Sequence, residues 1–350
     1  MKNQKLNLNQ IKQNERLIKK CKTSRQLAQL LMIIPKEIVL LSFAPLYYHF
    51  KIPKKHKGEF RFIEAPSQAL KRLQRKLNLY LQSVYYLHQT KVSYGYIIKP
   101  KGVKEIKNIY TNALQHLGND YMLNADFKDF FHQITSKDVY TIFTGNLFNF
   151  DKKTANTLAK ICTYKGRLPM GAPTSPVLSN VYTIGLDTDL SKWAVRQNIS
   201  FTRFVDDLSF SSKNTPITQY HFEQIERIAQ KYHLNFNTNK THYFGENDKK
   251  TVTGLLLNET IDIDPDYYKE LDEDIERLHR VIEVQYITGK TYGLGFIKEF
   301  KQQIIGKINF ISMIEGKSSK QYLEYLNRFQ EALIVSDELV NRWTKFSNYI

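Results

Sequence analysis

Hydrophobic and polar positions along the chain follow helical spacing in some stretches and strand spacing in others. Apolar residues recur every three or four positions in the stretches that we predict as helices, residues 1–34, 67–87, 151–163 and 216–233. Apolar and polar residues alternate over 47–66, on both sides of the sequence HKGE, which is typical of a turn. This stretch therefore predicts a β-hairpin.

The middle of the chain predicts short strands and one further helix. The strands are predicted over residues 121–127, 199–211, 240–244 and 251–257, the second of them folded back at a turn. A polar and aromatic loop follows residue 127, and a second loop has the sequence LPMGAPTSP. Pro176 suits the first turn of a helix that runs to about Gln197 and is capped by Thr174 or Ser175.

The last third of the chain is helical in its spacing. Apolar residues predict three helices, over residues 265–283, 295–314 and 318–335. The order of elements is thus helices and a hairpin, then alternating strands and helices, then helices alone. This order predicts an α+β fold with an appended helical subdomain.

Charge is distributed unevenly along the chain. The whole chain has a net charge of +17, and its first 110 residues hold 23 Lys and Arg against 5 Asp and Glu. The remaining residues are nearly balanced, with 28 basic and 29 acidic side chains. A generally lysine-rich surface would spread the excess more evenly. We therefore expect the N-terminal third to bind a phosphate-rich partner.

Cysteine content and hydropathy indicate the compartment. Cys21 and Cys162 are too few for a disulfide framework or a cysteine-based zinc site, and we expect both to be buried in a reducing cytosol. No apolar core of signal-peptide length is present near the N-terminus, and Pro35 interrupts the apolar stretch over 27–50. We expect a cytoplasmic protein without a membrane partner.

The sequence FVDDLSF, residues 204–210, places two adjacent aspartates in an apolar pattern. Asp206 and Asp207 fall at the predicted turn, which can aim both carboxylates in one direction, and Asp126 lies in the predicted buried strand. Buried carboxylates need a partner, either an arginine or a cation. Oxygen ligands without His or Cys favour Mg²⁺ or Mn²⁺, and two such ions serve phosphoryl transfer.

An aromatic-x-Asp-Asp turn that follows a strand aspartate resembles the palm of reverse transcriptases. Further segments resemble other motifs of that family in the same order: KKHKGEFR at 54–61, DFKDFF at 126–131, LPMGAPTSP at 168–176, and the lysine of LNFNTNKT at 240. NALQH at 112–116 and VTG at 252–254 resemble signatures of bacterial retron reverse transcriptases. The resemblance covers roughly residues 35–315.

This resemblance implies a right-hand RNA-directed DNA polymerase. N-terminal helices and fingers are expected over 1–120, a palm with an antiparallel sheet and helices on one face over 121–258, and a helical thumb over 259–350. In the implied reaction a primer hydroxyl attacks the α-phosphate of a dNTP. The residues after 264 leave little room for a ribonuclease H domain, so that activity is expected from a separate host enzyme.

The resemblance also implies roles for particular residues. Asp126, Asp206 and Asp207 are the implied catalytic residues, and with the Phe127 carbonyl they are expected to bind two Mg²⁺ ions, for which Mn²⁺ can substitute. Nucleotide binding is implied for Lys54, Arg61, Phe131, Met170, Gly171 and Lys240. RNA binding is implied for Asn112, His116, Val252, Thr253, Gly254, Lys298, Lys301 and Lys307.

Three departures from the family pattern stand out. Met170 replaces a usual Gln, Phe204 replaces a Tyr, and VSYGY at 92–96 stands where His-Gly-Phe is commoner.

The resemblance to retron enzymes implies a particular product. A retron enzyme copies part of its own structured noncoding RNA, primed from a 2′-OH in that RNA, and yields a branched RNA–DNA hybrid. Retron enzymes commonly act in antiphage defence beside a toxic effector protein.

Two alternatives remain open at the level of sequence. The nearer is another prokaryotic reverse transcriptase, of the group II intron, diversity-generating or defence type, although the short length argues against an intron enzyme. The farther is a catalytically inert RNA-binding scaffold whose carboxylates are structural. The sequence favours a structural hydrogen-bonding role for His116 over that of a catalytic base, and Lys54 and Arg61 can be surface charges of the hairpin.

Overall fold

The computed structural model describes residues 6–53, 58–288 and 294–334. The chain divides into two compact units, residues 1–248 and 249–350. Each unit is defined only by its internal contacts. The boundaries of fingers, palm and thumb at 120 and 258 therefore remain predictions. Within the described ranges no single helix is long and apolar enough to cross a membrane; the helices Ser24–Leu30 and Pro35–Phe43 reach that length and composition only as a pair, bent by 111°.

The first unit contains both helices and strands. Its helices are α1 (Leu8–Lys20), α2 (Ser24–Leu30), α3 (Pro35–Phe43), α4 (Gln68–His88), α5 (Ile109–Ala113), α6 (Phe130–Gln133), α7 (Ser136–Thr144), α8 (Lys152–Cys162), α9 (Ser175–Tyr182), α10 (Ile184–Arg196) and α11 (Gln219–Gln230). Its strands are β1 (Tyr47–Pro53), β2 (Phe60–Pro66), β3 (Tyr121–Asp126), β4 (Ser200–Phe204), β5 (Asp207–Ser212) and β6 (His242–Phe244).

A four-stranded antiparallel sheet with the order β4-β5-β3-β6 is the centre of this unit. Because side chains alternate along a strand, its two faces differ in character. One face carries rings such as Phe201 and Phe210, which stack at 4.8 Å, and Trp193 of α10 packs edge-on against Phe210. The other face carries small polar residues such as Thr202 and Ser211.

The predicted hairpin over 47–66 forms as β1 and β2. The strands pair antiparallel from Tyr47 opposite Pro66 to Pro53 opposite Phe60. Residues 54–57 at its tip, which include Lys54, lie outside the described residues. Arg61 is the second residue of β2 and pairs with Ile52, close to the tip.

Three sequence predictions of local structure were wrong. Part of the loop expected after residue 127 is helix α7, which begins at a capping box in which Thr135 and Asp138 satisfy each other's backbone N–H groups. The single helix expected to run to about Gln197 is broken at Thr183 into α9 and α10. Thr174 occupies the N-cap position of α9 but makes no side-chain capping bond.

The second unit combines a small sheet with helices. Its elements are β7 (Lys250–Val252), β8 (Leu255–Leu257), β9 (Ile261–Ile263), α12 (Pro265–Thr288), α13 (Leu294–Glu315) and α14 (Lys320–Glu331). The strands form an antiparallel sheet in the order β7-β8-β9, of which β9 was not predicted. Ion pairs join α12 to the other two helices, Asp274 to Lys307 at 2.7 Å and Asp272 to Arg328 at 2.6 Å. The α+β fold class is confirmed.

Candidate active site

Three aspartates meet at one edge of the central sheet. Asp126 ends β3 and pairs in register with Asp207, the first residue of β5. Asp206 lies in the two-residue turn between β4 and β5, next to Val205, which has a left-handed backbone with φ of 66°. The Phe127 N–H donates to the Asp206 carbonyl at 3.1 Å and so ties the end of β3 to the turn. The predicted catalytic aspartates are therefore neighbours.

Negative charge at this edge is poorly compensated. Burial, followed by the charge of Asp126, raises the pKa of Asp206 to about 6. Asp207 is accessible from the cavity described below, yet desolvation by the surrounding protein, followed by the adjacent Asp206 and Asp126 carboxyls, raises its pKa as well. Lys240 Nζ bonds Asp126 Oδ2 at 2.7 Å, which raises the pKa of the lysine. One ammonium group at this distance only partly offsets three carboxyl groups.

The donor chemistry at the edge suits a divalent cation. In the part of the chain that the structure describes, no three His, Cys, Asp or Glu side chains are close enough to enclose a metal ion as they stand. The oxygens of Asp126, Asp206 and Asp207 are nevertheless hard ligands, and their shared negative charge favours Mg²⁺ or Mn²⁺. These residues therefore fit such ions by chemistry and charge, with Asp126 bonded to Lys240 in this structure.

The aspartate edge opens into a cavity of about 660 Å³. Its walls come from the hairpin, the loop over 168–176, the start of α6 and the catalytic turn. The predicted nucleotide-binding residues that line it together with Asp206 and Asp207 are Arg61, Phe131, Met170, Gly171 and Lys240. Segments that are almost 180 residues apart in sequence thus meet in one pocket, as their predicted common role requires.

The loop before α9 holds the hairpin at close range. The Glu64 N–H donates to the Met170 carbonyl at 2.7 Å, and Arg167 forms two bonds to the Glu64 carboxylate, at 2.7 and 3.0 Å. Gly171 has a φ of 135°, and a Cβ there would lie 2.8 Å from the Glu64 carbonyl oxygen. This approach therefore requires glycine. Because the Met170 contact uses backbone atoms, the Gln-to-Met departure leaves it intact.

Two phenylalanines of α6 take different positions. Phe130 is buried and its ring lies 5.5 Å from that of Phe127. Phe131 is half-buried and lines the cavity. Of these two rings, Phe131 is therefore the more accessible one in the pocket.

Comparison with known proteins decides the family. Residues 52–257 match the model of the protein family described as reverse transcriptase (RNA-dependent DNA polymerase). The chain belongs to this family. Its fold is therefore a right-hand polymerase fold, its activity is RNA-directed DNA synthesis, and its family implies an RNA template and dependence on divalent metal ions.

The relatives of this reverse transcriptase include retron enzymes. The chain is 27% identical to the retron Ec86 reverse transcriptase of Escherichia coli over 231 residues, which cover 66% of this chain and 67% of the relative. It is 29% identical to the retron Mx65 reverse transcriptase of Myxococcus xanthus, over 61% of this chain and 52% of the relative. For the retron Ec48 reverse transcriptase of Escherichia coli these values are 24%, 87% and 75%. The predicted retron type is confirmed.

Solved structures include more distant likenesses. Apo telomerase from Candida tropicalis matches with a TM-score of 0.45 and 15% identity, over 85% of this chain and 62% of that one. The foamy viral protease-reverse transcriptase in complex with double-stranded DNA matches with a TM-score of 0.39 and 16% identity, over 82% of this chain and 43% of that one. This reverse transcriptase thus spans about three fifths of the telomerase chain and less than half of the viral one.

Two predicted RNA-binding residues of the reverse transcriptase are inside the first unit. Asn112 and His116 are 1% and 0% exposed. His116 bridges two hydroxyls of the polar sheet face, with Nδ1 2.7 Å from Ser211 Oγ and Nε2 2.7 Å from Thr202 Oγ1. Burial lowers the pKa of His116 to about 3, so the ring is neutral. These contacts favour the structural interpretation of His116 over a surface contact with RNA.

The other predicted RNA-binding residues belong to the second unit. Val252 is buried at the end of β7, and Thr253 and Gly254 form the turn to β8 with φ of 49° and 82°. The three lysines are on α13: Lys298 is exposed, Lys301 is half-buried and Lys307 is bonded to Asp274. Their contact with RNA stays a prediction.

Sequence reasoning missed several residues that build the pocket. Tyr96 lines the cavity with a φ of 55°, and burial and the nearby Asp206 raise the pKa of its hydroxyl. Arg167 and Glu64 are separated by about 100 residues and were not paired in advance. The unusual VSYGY sequence was the available signal for Tyr96, and its glycine marks a close backbone approach.

Proposed function

We propose that this retron-type reverse transcriptase synthesises single-stranded DNA from dNTPs on a cognate structured noncoding RNA, with its active site in the aspartate-lined pocket. One observation carries the proposal. Asp206 and Asp207 meet the cationic side chains of Arg61 and Lys240 around one cavity of about 660 Å³. Nucleotidyl transfer needs both: carboxylates on the side of metal and primer, and cations on the side of the triphosphate.

We assign the metal-binding roles from the resemblance to the family motifs, supported by the clustering of the three aspartates. Asp126, Asp206, Asp207 and the Phe127 carbonyl would hold two Mg²⁺ ions, for which Mn²⁺ could substitute. Bound there, the ions would supply activation of the primer hydroxyl and neutralisation of charge on the reacting phosphate.

The chain's own side chains bind and orient the nucleotide. Arg61 and Lys240 neutralise the triphosphate, and we assign Lys54 to the same task at the hairpin tip. The Phe131 ring blocks the space beside the ribose 2′ position, which favours deoxynucleotides. Gly171 lets the pocket wall approach closely, and the Met170 side chain contributes apolar surface to it.

The retron relatives suggest the biological setting. The enzyme copies part of its own noncoding RNA from a 2′-OH primer in that RNA and leaves a branched RNA–DNA hybrid. A separate host ribonuclease H removes the copied RNA. The enzyme acts in the cytoplasm in antiphage defence, with a toxic effector protein as partner.

Three regions of the chain are assigned different tasks. The basic N-terminal helices and fingers over 1–120 grip RNA phosphates, the palm over 121–258 carries the chemistry, and the thumb over 259–350 follows the template–primer duplex. Thr253, Gly254 and the lysines of α13 contribute to RNA recognition in the second unit.

The nucleic acid that copurifies with the protein tests this proposal. The protein is expressed with its native flanking DNA, and the bound nucleic acid is sequenced after RNase and DNase treatment. Wild type is expected to carry a defined single-stranded DNA joined to one structured RNA, and Asp206→Ala with Asp207→Ala to carry the RNA alone. Asp120→Ala, a surface aspartate paired with Lys213, is the control. RNA alone in both proteins would contradict the proposal.

A further inference from the structure

A fully buried ion pair lies directly behind the catalytic turn. Arg203 on β4 and Asp187 on α10 are both 0% exposed. The Arg203 guanidinium bonds the carboxylate through two nitrogens, Nε to Oδ1 at 2.6 Å and Nη2 to Oδ2 at 2.9 Å. Thr90 Oγ1 also donates to Asp187 Oδ2, at 2.8 Å. A buried arginine of this kind is expensive to desolvate, so its remaining donors are informative.

The remaining Arg203 donors reach the turn itself. Nη1 donates to the Val205 carbonyl at 2.9 Å and to Asn180 Oδ1 at 3.1 Å. Nη2 also donates to Ser93 Oγ, at 3.2 Å. Val205 is the residue that precedes Asp206, and its left-handed backbone is a genuine outlier for a β-branched side chain. Arg203 therefore holds the carbonyl of the residue that has this unfavourable backbone conformation.

The segment over 92–96 packs against the turn and pairs with Arg203. Arg203 exchanges backbone bonds with it, donating to the Val92 carbonyl at 2.8 Å and accepting from the Tyr94 N–H at 2.9 Å. A Cβ on Gly95 would lie 2.5 Å from Val205 Cγ2, so only glycine permits this approach. Asn180 Nδ2 holds the Gly95 carbonyl at 2.9 Å. The unexplained VSYGY sequence thus has a physical role against Val205.

We infer that Ser93, Gly95, Asn180, Asp187 and Arg203 form a turn clasp that holds Val205 in its left-handed conformation and thereby positions the carboxylates of Asp206 and Asp207. The inference rests on the proposed function of that turn. Arg203 is a positioning residue, because it contacts neither the cavity nor the aspartate side chains in the contacts described. Its effect on catalysis passes through the Val205 carbonyl.

A double replacement separates positioning from stability. Arg203→Met with Asp187→Leu removes both buried charges together, which commonly leaves stability unchanged or higher, but deprives the Val205 carbonyl of its donor. We expect the melting temperature to stay within a few degrees of wild type. In single-turnover incorporation on an RNA template with a DNA primer, the rate should fall at least about 30-fold, while the apparent nucleotide Kd changes less than about threefold.

Hydrogen exchange gives a readout that does not depend on activity. Backbone amides of a peptide over 200–212 should exchange faster in the double variant, while those of α11 should not. Asp120→Asn with Lys213→Gln is the matched control, since this pair lies at the far end of β3 and β5 from the turn. The control should leave rate and exchange unchanged.

Two single variants cover the case in which the double variant does not fold. Asn180→Ala removes two clasp bonds, those to Arg203 and to the Gly95 carbonyl, and Ser93→Ala removes the bond to Arg203; both variants keep the ion pair. Each should lower the rate about threefold to tenfold and speed exchange at the turn. A folded clasp variant with wild-type rate and exchange would overturn the inference. If wild type itself incorporates no nucleotide, the proposed function fails, and exchange at the turn still decides whether the clasp exists.

Discussion

At the scale of single residues, the aspartate edge destabilises the protein that carries it. The raised pKa of Asp206, about 6, means that its charged form is less favourable in the folded chain than in the unfolded one. The stabilising contribution of this group is therefore complete below its ordinary pKa near 4 and is lost as pH rises through about 6. At neutral pH without metal, the carboxylate opposes folding.

Removing that charge should therefore stabilise the metal-free protein. We expect Asp206→Asn to raise the free energy of unfolding by about 2 kcal/mol at pH 7.5 in a chelator, and the gain to vanish near pH 4. Added Mg²⁺ should stabilise wild type more than the variant. Chemical unfolding measures both effects, with Asp120→Asn as control. A variant less stable than wild type would indicate a structural carboxylate, as the scaffold alternative requires.

His116 gives the opposite pH dependence. Its pKa in the folded chain is lowered to about 3, so below about pH 6.5 only the unfolded chain takes up this proton. We expect His116→Gln to be less stable than wild type at pH 7.5, and the difference to shrink by about 1.4 kcal/mol per pH unit below 6.5. Urea unfolding of both proteins at several pH values measures this. A difference that does not change with pH would contradict a neutral buried ring.

At the scale of elements, the pocket depends on how the hairpin meets the loop before α9. The contact combines the Glu64–Arg167 ion pair with the close approach of Gly171 to the Glu64 carbonyl. Neither strand of the hairpin belongs to the central sheet. This contact therefore connects the cationic hairpin to the wall of the aspartate cavity.

Alanine at Gly171 tests this contact. The Cβ would meet backbone oxygen at 2.8 Å and the φ of 135° is unfavourable for alanine, so the loop must move away from the hairpin. We expect Gly171→Ala to raise the KM for dNTP at least about tenfold and to cost about 2 kcal/mol of stability. Gly118→Ala is the matched control, because its φ is also positive, 78°, but nothing lies within 4 Å. Equal KM values for both variants would contradict the role of the contact.

The elements show which parts of the structure the sequence could predict. The hairpin follows from local alternation, and the strands at 121–127 and 199–211 follow from their short apolar stretches. The turn within 199–211 then brings Asp206 and Asp207 to one place without any distant contact. The break at Thr183 was missed because apolar spacing continues across it. Helix α7 was missed although Thr135 and Asp138 form a capping box, since the polar and aromatic sequence around it masked the signal.

The site was predictable only where a motif carries it. Asp126, Asp206 and Lys240 are recognisable from local sequence, and the structure brings them together. The pairing of Arg203 with Asp187 was not predictable, because many acidic residues compete as partners and only the packing of α10 on the sheet selects one. The left-handed backbone at Val205 was equally hidden, since valine disfavours it.

At the scale of the whole molecule, charge distribution should govern RNA binding. Exposed arginines on α4, Arg72 and Arg75, belong to the basic first third of the chain. Each phosphate contact releases counterions, so RNA affinity should fall at least about 100-fold between 50 and 200 mM salt. Arg72→Glu with Arg75→Glu should weaken binding and flatten this dependence. Lys192→Glu with Arg196→Glu, the same charge change on exposed positions of α10, should have little effect.

Filter binding over a salt series measures both variants. If the α4 and α10 variants lose affinity equally, RNA binding follows net charge alone, and the uneven distribution along the chain has no role in it. The α4 variant should retain its melting temperature, because both side chains are exposed.

DNA synthesis on an RNA template decides whether the pocket is a polymerase site. The purified protein is given poly(rA) with an annealed oligo(dT) primer, dTTP and Mg²⁺ or Mn²⁺, beside folded Asp206→Asn. We predict primer extension by wild type and a loss of at least about 1,000-fold in the variant, with bound template–primer unchanged. Extension by both proteins at equal rates, or by neither although both bind the template–primer, would contradict the assignment of the aspartate edge to catalysis.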